Sequence, residues 1–316
     1  MNTRPVDEPA RLSVSMIGPL VVRRDGIALG AHLGGPKPRQ ILEILLLRRG
    51  APVSKDVLIE LLWGDRAPKE ARSTLESYVS VLRRHLQPAR GKSGPLRTTT
   101  GGYLIDISLV DLDLARFDSL LRCAQRAEPA VAYPLVVEAL ALATGPLLGD
   151  ELRPSWAAEE RTRHADDVTA ARVLAAESAL AIGAHADAAD WANQALMDDP
   201  LHEGAWTALI VALERSGQCA EGLRAYDRCR QRFDSELGCE PSSALRAAHA
   251  RLLNATAAGQ GELSYAVSAL LVLNDQLVRS AEPDFDAEPL EARIGEAVRQ
   301  AGDVLTAFLR RATQAA

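Results

Sequence analysis

The 316-residue chain has no lysine beyond Lys92, no CxxC pair, and no uninterrupted run of about 18 apolar residues. The missing run argues against a membrane-spanning helix. The start MNTRPVDEPARL mixes charge and proline where a signal peptide needs a basic start and an apolar core. A cytoplasmic protein with no membrane partner is therefore expected. The four cysteines, Cys123, Cys219, Cys229 and Cys239, read as buried thiols, with a zinc site or a disulfide as the alternatives. There is no GxxxxGK[ST] phosphate loop, no HExxH and no GxSxG elbow, and GAHLGG at 30–35 has the wrong spacing for a dinucleotide fingerprint. The six histidines are scattered, and His85 and His202 read as structural or solvated. No catalytic residue, cofactor or metal is assigned, and an enzyme is not expected.

What the chain does have is an uneven distribution of charge. Residues 1–105 hold 17 Lys and Arg against 9 Asp and Glu, a net +8, whereas residues 106–316 hold 19 against 33, a net −14. The overall charge of −6 hides a compact basic end suited to a polyanion, joined to an acidic body suited to something else. The length predicts two or three domains, and an apolar content of 47% allows a sizeable core.

The basic end begins with strand-like alternation at Leu12, Val14 and Met16, then Leu20, Val21 and Val22, with Asp25-Gly26 as a hairpin turn before Ile27. Three helices follow. The first opens at Pro36-Lys37-Pro38 and stops at Gly50; the second is capped by Ser54 and ends at Trp63-Gly64. The third, about Glu70 to Leu86, aligns Leu75, Val79, Leu82 and Leu86 at steps of four, three and four, a stripe that packs inward. Ser73, Ser77, Ser80 and Arg84 fall opposite it, with Arg72 and Arg83 on its flanks. Small hydroxyl side chains let a helix backbone settle deep in a DNA groove, where arginines reach bases or phosphates. An ordinary solvated face is the bland alternative. Leu96-Arg97-Thr98-Thr99-Thr100 and the stretch through Ile105 read as two strands around a Gly101-Gly102 turn, with threonine hydroxyls available to phosphate oxygens.

In the acidic half, Gly183 and Gly217, Ala186 and Ala220, Asp187 and Glu221, Ala188 and Gly222, and Ala195 and Cys229 are each 34 apart, the length of a tetratricopeptide repeat. Ala115 to Ala127 and Ala132 to Ala143 read as further helices. Ala257 to Gly261 reads as a linker, followed by amphipathic helices over Leu263–Val278 and Leu290–Leu309. Capping the repeat stack, a dimer contact and an unrelated role are the readings open for them.

Sheet, three helices and hairpin is the order of a winged helix-turn-helix. Asp56 to Gly64 (DVLIELLWG), Tyr78 to Arg84 (YVSVLRR) and the wing ending Gly102-Tyr103 resemble the OmpR/PhoB-type DNA-binding domain of Streptomyces antibiotic regulatory proteins. Asp113-Leu114-Ala115-Arg116-Phe117, Leu147 to Asp150 and Leu237 to Ser242 resemble the bacterial transcriptional activation domain of the same family. The expected fold is an α+β winged helix-turn-helix followed by an all-α tetratricopeptide-like repeat domain, over residues 1–107 and 108–256, with a helical extension at 257–316.

The resemblance implies an activator of secondary-metabolite genes that binds direct repeats in double-stranded promoter DNA as a dimer. It would recruit RNA polymerase holoenzyme through the sigma factor or the alpha C-terminal domain, within the nucleoid. The DNA-contacting set is Lys55, Arg72, Ser73, Thr74, Ser77, Ser80, Val81, Arg83, Arg84, Arg97, Thr98, Thr99 and Thr100. Ser77 and Val81 match the base-facing positions of the family. Val81 replaces the polar or basic residue common there and offers a contact to a thymine methyl, and Thr99 stands where wings often carry arginine. Asp65, Arg66 and Lys69 form the loop expected to touch polymerase. A repeat-type adaptor whose winged domain binds protein, and a regulator responsive to a small ligand, are the rival readings.

Overall fold

A computed structural model describes residues 12–29, 33–88, 94–150 and 155–259. Two compact units divide within one long helix, after Ser178. The first opens with β1 (Leu12–Ser15), β2 (Val21–Arg24) and β3 (Ile27–Ala28), paired antiparallel in sequence order. Leu12 and Val14 are buried while Ser13 and Ser15 are half-exposed, the period-two pattern of a sheet with one covered face. Asp25 and Gly26 both adopt left-handed backbone, φ 51 and 82, as a two-residue hairpin turn requires. A strand not expected from the residue pattern, β7 (Val110–Leu112), pairs parallel to β1 and completes the order β3-β2-β1-β7.

Helix α1 (Pro36–Leu47) has proline in its opening turn and ends before Arg49-Gly50, where both φ values are positive. The short β4 (Val53–Ser54) leads into α2 (Lys55–Trp63), and Ser54 Oγ accepts from Val57 N at 3.2 Å as its cap. After a single 3-10 turn at Gly64–Arg66 comes α3 (Ala71–Leu86), with Leu75, Val79, Leu82 and Leu86 buried as their spacing requires. The wing is β5 (Leu96–Thr99) and β6 (Gly102–Ile105), with β4 on the other side of β6.

The wing turn departs from expectation. It is Thr100-Gly101, with Gly101 at φ 86, and Gly102 belongs to β6 opposite Thr99. A Cβ at Gly102 would lie 2.0 Å from the Val53 carbonyl oxygen, so this second glycine serves strand-to-strand approach rather than the turn.

The unit continues through α4 (Asp113–Ala124) and α5 (Pro129–Leu142), which pack on each other, into the first part of α6 (Ala158–Ala181). Leu147 and Leu148 join the apolar core formed by the sheets and α1 to α3.

The second unit holds the end of α6, then α7 (His185–Asp198), α8 (Glu203–Arg215), α9 (Cys219–Leu237) and α10 (Ser243–Gly259). Gly183 and Gly217 follow α6 and α8 with φ 82 and 76, so the 34-residue period marks equivalent helix ends. Ala188, Ala195, Gly222 and Cys229, small residues of the repeat, are all buried. A Cβ on Gly222 would stand 2.8 Å from a Leu252 methyl, which shows how closely α9 and α10 approach. Trp206 Nε1 donates to Pro200 O at 2.9 Å, and His202 caps α8 by accepting from Ala205 N at 3.3 Å.

Of the cysteines only Cys229 is buried, with its thiol pushed up to about 12 mainly by that burial. Cys123 and Cys239 are exposed and Cys219 is half-buried, contrary to expectation. Cys123 lies off the face that buries Phe117, Leu121 and Ala124, and Cys239 lies beyond the helix-ending Gly238. All four are free thiols, and among the described residues no cluster of His, Cys, Asp or Glu is arranged to hold a metal. No described helix is long and apolar enough to cross a membrane. Helix α10 runs through Gly259, into the stretch expected to be a linker; the helices expected over Leu263–Val278 and Leu290–Leu309 lie outside the described residues.

Candidate nucleic-acid interface

With its apolar stripe turned inward, α3 leaves Ser73, Ser77, Ser80 and Arg84 exposed. The hydroxyls donate back into the helix: Ser73 Oγ to Glu70 O (3.1 Å), Ser77 Oγ to Ser73 O (3.0 Å) and Ser80 Oγ to Glu76 O (2.8 Å). Back-bonding of this kind commits the hydroxyl proton and leaves an acceptor lone pair outward. Among the described residues Arg84 makes no hydrogen bond or ion pair. Thr74 is half-buried at the edge of this face.

The other cations of the DNA-contacting set each have a partner within the chain. Lys55 Nζ donates to Glu76 Oε1 at 2.5 Å; that bond raises the lysine pKa and is the main reason the Glu76 carboxyl sits below the usual range. Arg72 Nη2 donates to Asp56 Oδ1 at 2.7 Å. Arg97 pairs with Asp106 at 2.6 Å, and Asp106 is held low first by its bond from Ser108 and also by the nearby Arg97. Arg83 ties α3 to the wing, with Nη2 donating to Thr98 Oγ1 (2.6 Å) and Nε to Leu96 O (3.3 Å). Its guanidinium and the Lys55 ammonium each stand 5.8 Å from the centre of the Tyr103 ring. Burial is the main cause of the raised Tyr103 pKa.

On the wing, Arg97, Thr98 and Thr100 are exposed and Thr99 is half-buried. Val81 is half-buried too, and its Cγ1 lies 2.6 Å from where a Cβ on Gly34 would stand. It therefore packs on the turn before α1, one helical turn beyond Ser77. Asp65, Arg66 and Lys69 are exposed in the connection between α2 and α3.

Three residues of this region were missed from sequence. Glu76 gave no signal beyond its charge. Arg24 on β2 donates to the carbonyl of His85 near the end of α3. Gln87, buried just past α3, accepts from Leu96 N at 2.9 Å and places Nε2 3.5 Å from Leu96 O. Gln87 falls one residue past Leu86, off the four-and-three spacing of the apolar stripe, so nothing in the sequence marked it as buried.

Residues 32–105 match the family described as "Transcriptional regulatory protein, C terminal", and residues 112–253 match "Bacterial transcriptional activator domain". The regulatory protein DnrI of Streptomyces peucetius is 31% identical over 245 residues, covering 74% of this chain and 89% of its own length. The chain belongs to the Streptomyces antibiotic regulatory protein family. As a member it is a DNA-binding transcriptional regulator and not an enzyme. The regulatory protein AfsR of Streptomyces coelicolor is 32% identical over 308 residues, which make up 95% of this chain but 30% of that protein. Among solved structures, Mycobacterium tuberculosis EmbR in complex with a low affinity phosphopeptide matches with a TM-score of 0.69 and 29% identity. The match covers 84% of this chain and 72% of EmbR.

Proposed function

We propose that this regulator is a sequence-specific activator that seats α3 in the major groove of promoter direct repeats and recruits RNA polymerase to secondary-metabolite genes. Two copies bind side by side on the repeats, within the nucleoid. Residues 1–107 read DNA, and residues 108–256, together with Asp65, Arg66 and Lys69, meet the sigma factor or the alpha C-terminal domain. The observation that carries this reading is the outward face of α3: three small hydroxyl residues and an Arg84 with no partner among the described residues, flanked by a wing that presents Thr98 and Thr100. Small side chains permit close approach, Arg84 and the outward acceptor lone pairs of the serines supply base contacts, and the wing threonine hydroxyls supply phosphate contacts.

The test is footprinting of the full chain on the DNA flanking its own gene, followed by transcription from that fragment with purified holoenzyme. Protection of two repeats and a rise in transcript are expected. Arg84→Ala should narrow the ratio of target to random binding by about 1 to 3 kcal/mol, the worth of a base contact. Arg66→Ala with Lys69→Ala should lower transcript without altering the footprint. A chain that leaves every promoter fragment unprotected at low ionic strength would defeat the reading.

A further inference from the structure

We propose that Glu76 is a specificity-determining residue of the DNA interface: on binding, its carboxylate exchanges Lys55 for the amino group of a cytosine in the major groove, while Lys55 passes to a backbone phosphate. The inference rests on α3 being the helix that enters the groove.

Glu76 stands mid-helix, one turn from Ser73 on one side and from Ser80 on the other, so all three share a face. Its side chain is 52% exposed, and among the described residues its only hydrogen-bond partner is Lys55. Among the described residues the carboxylate caps no helix and holds no backbone amide, so the exposed pair with Lys55 is its one tie on a surface that faces a polyanion. Left unpaired there, it would repel phosphate. A carboxylate accepts hydrogen bonds and donates none. Cytosine shows only an amino donor in the major groove, guanine two acceptors, thymine an acceptor and a methyl, and adenine one acceptor and one donor. An ionised Glu76 therefore favours cytosine and opposes guanine and thymine.

Lys55 is suited to the other half of the exchange. It is the first residue of α2, at the foot of the wing, with a compact charge on a flexible stem. In the free protein the two charges cancel. On a random duplex, each time Lys55 turns to a phosphate it strands a carboxylate against the polyanion. Only a seating that brings a cytosine amino group to Glu76 satisfies both, so the ion pair weakens binding to wrong sequences more than to the right one.

The test is selection from a random duplex library with the full wild-type chain, Glu76→Gln and Glu76→Ala, plus salt titration of each on a random-sequence duplex. The wild type should enrich cytosine at one position under α3. Glu76→Ala should lose that preference, on the order of 10-fold, and keep the rest of the motif. Glu76→Gln should shift it to adenine, which glutamine pairs bidentately, and a misfolded variant cannot produce that outcome. Both variants should bind random duplex more tightly, with a slope of log K against log salt steeper by about 0.9 as Lys55 is released. Lys55→Ala in the Glu76→Gln background should abolish the increment. A motif unchanged in both variants, or weaker random binding, overturns the role of Glu76 alone. A wild-type chain that enriches no motif and ignores duplex at low salt overturns the parent reading and this inference with it.

Discussion

The Asp113 carboxylate, on the first residue of α4, accepts the backbone amide of Met16 from 97 residues earlier, with its two oxygens at 2.9 and 3.0 Å. Oδ2 also accepts from Ile17 N (3.1 Å) and Ser15 Oγ (2.6 Å), while Oδ1 takes the amide of Leu114 in its own helix (2.7 Å). One side chain thus ends β1 and begins α4. Beyond it, Leu148 N donates to Met16 O, Gly149 N to Gly18 O and Gly18 N to Pro146 O, while Asp150 accepts from Leu20 N and pairs with Arg39. The activator match starts at residue 112, yet its early residues complete the hydrogen bonding of the N-terminal sheet.

Asp113→Ala should therefore destabilise the first unit. Met16 and Ile17 are almost fully buried, and their amides would lose their acceptor with little access to water. A buried donor left unsatisfied costs about 1 to 3 kcal/mol. A loss of about 3 kcal/mol in denaturant unfolding of the full chain is expected, with Asp113→Asn recovering part of it. Equal midpoints for wild type and Asp113→Ala would rule the clamp out.

A pH dependence follows from His164 on α6. The ring is buried, lies edge-on to Phe117 with centroids 5.0 Å apart, and has no hydrogen-bond partner at either nitrogen among the described residues. Burial is the largest influence and lowers its pKa from the ordinary 6.5; Asp167 and Asp113 oppose the shift and Arg49 adds to it. The folded chain keeps the ring neutral while the unfolded chain takes up a proton below pH 6.5. The unfolded state then binds more protons, so stability is full above that pH and falls as pH drops through it. His164→Leu should flatten the decline, by at most about 1.4 kcal/mol per pH unit for one proton. Parallel stability curves for variant and wild type would show that the ring is protonated equally in both states.

Much of this architecture was legible because it is written in short periods. The stripe Leu75, Val79, Leu82 and Leu86, the Asp25-Gly26 turn and the 34-residue recurrence are local or periodic signals, and the structure carries each. Pairings across distance were not legible. Lys55 and Glu76 are 21 residues apart, Arg72 and Asp56 are 16 apart, and nothing in composition says that cations of the DNA-contacting set are held by nearby carboxylates. Short strands failed for another reason. Val53–Ser54 and Val110–Leu112 are too brief to alternate visibly and exist only because a neighbouring strand pairs with them.

Gly102 supplies a prediction with a steric cause. The Cβ of Gly102→Ala would fall 2.0 Å from the Val53 carbonyl oxygen and 2.9 Å from the Ser54 Cα, backbone atoms that cannot rotate away. β4 and β6 must then separate, taking the Ser54 cap of α2 with them. A loss above about 3 kcal/mol is expected by thermal unfolding, in the range reserved for a core that cannot relax. Gly101→Ala, at a turn position with open space around it, should cost less despite its positive φ. The reverse ranking would move the critical contact from the strand to the turn.

Gln87 offers a way to separate wing position from wing chemistry. Its amide lies against Gly94, where a Cβ would stand 2.3 Å from its Cδ, and its Oε1 accepts the amide of the fully buried Leu96. In Gln87→Leu that amide loses its partner, at a cost of about 1 to 3 kcal/mol, and the first residue of β5 loses its tie to α3. Arg83 still reaches Leu96 O and Thr98, so the wing should stay folded but be held less rigidly. Because Gln87 is buried and carries no charge, the variant should keep the salt slope of random-duplex binding while weakening target binding and shortening protection on the wing side. A weaker salt slope would mean that cationic contacts had been lost, and Gln87 would then be supporting the whole interface rather than aiming the wing.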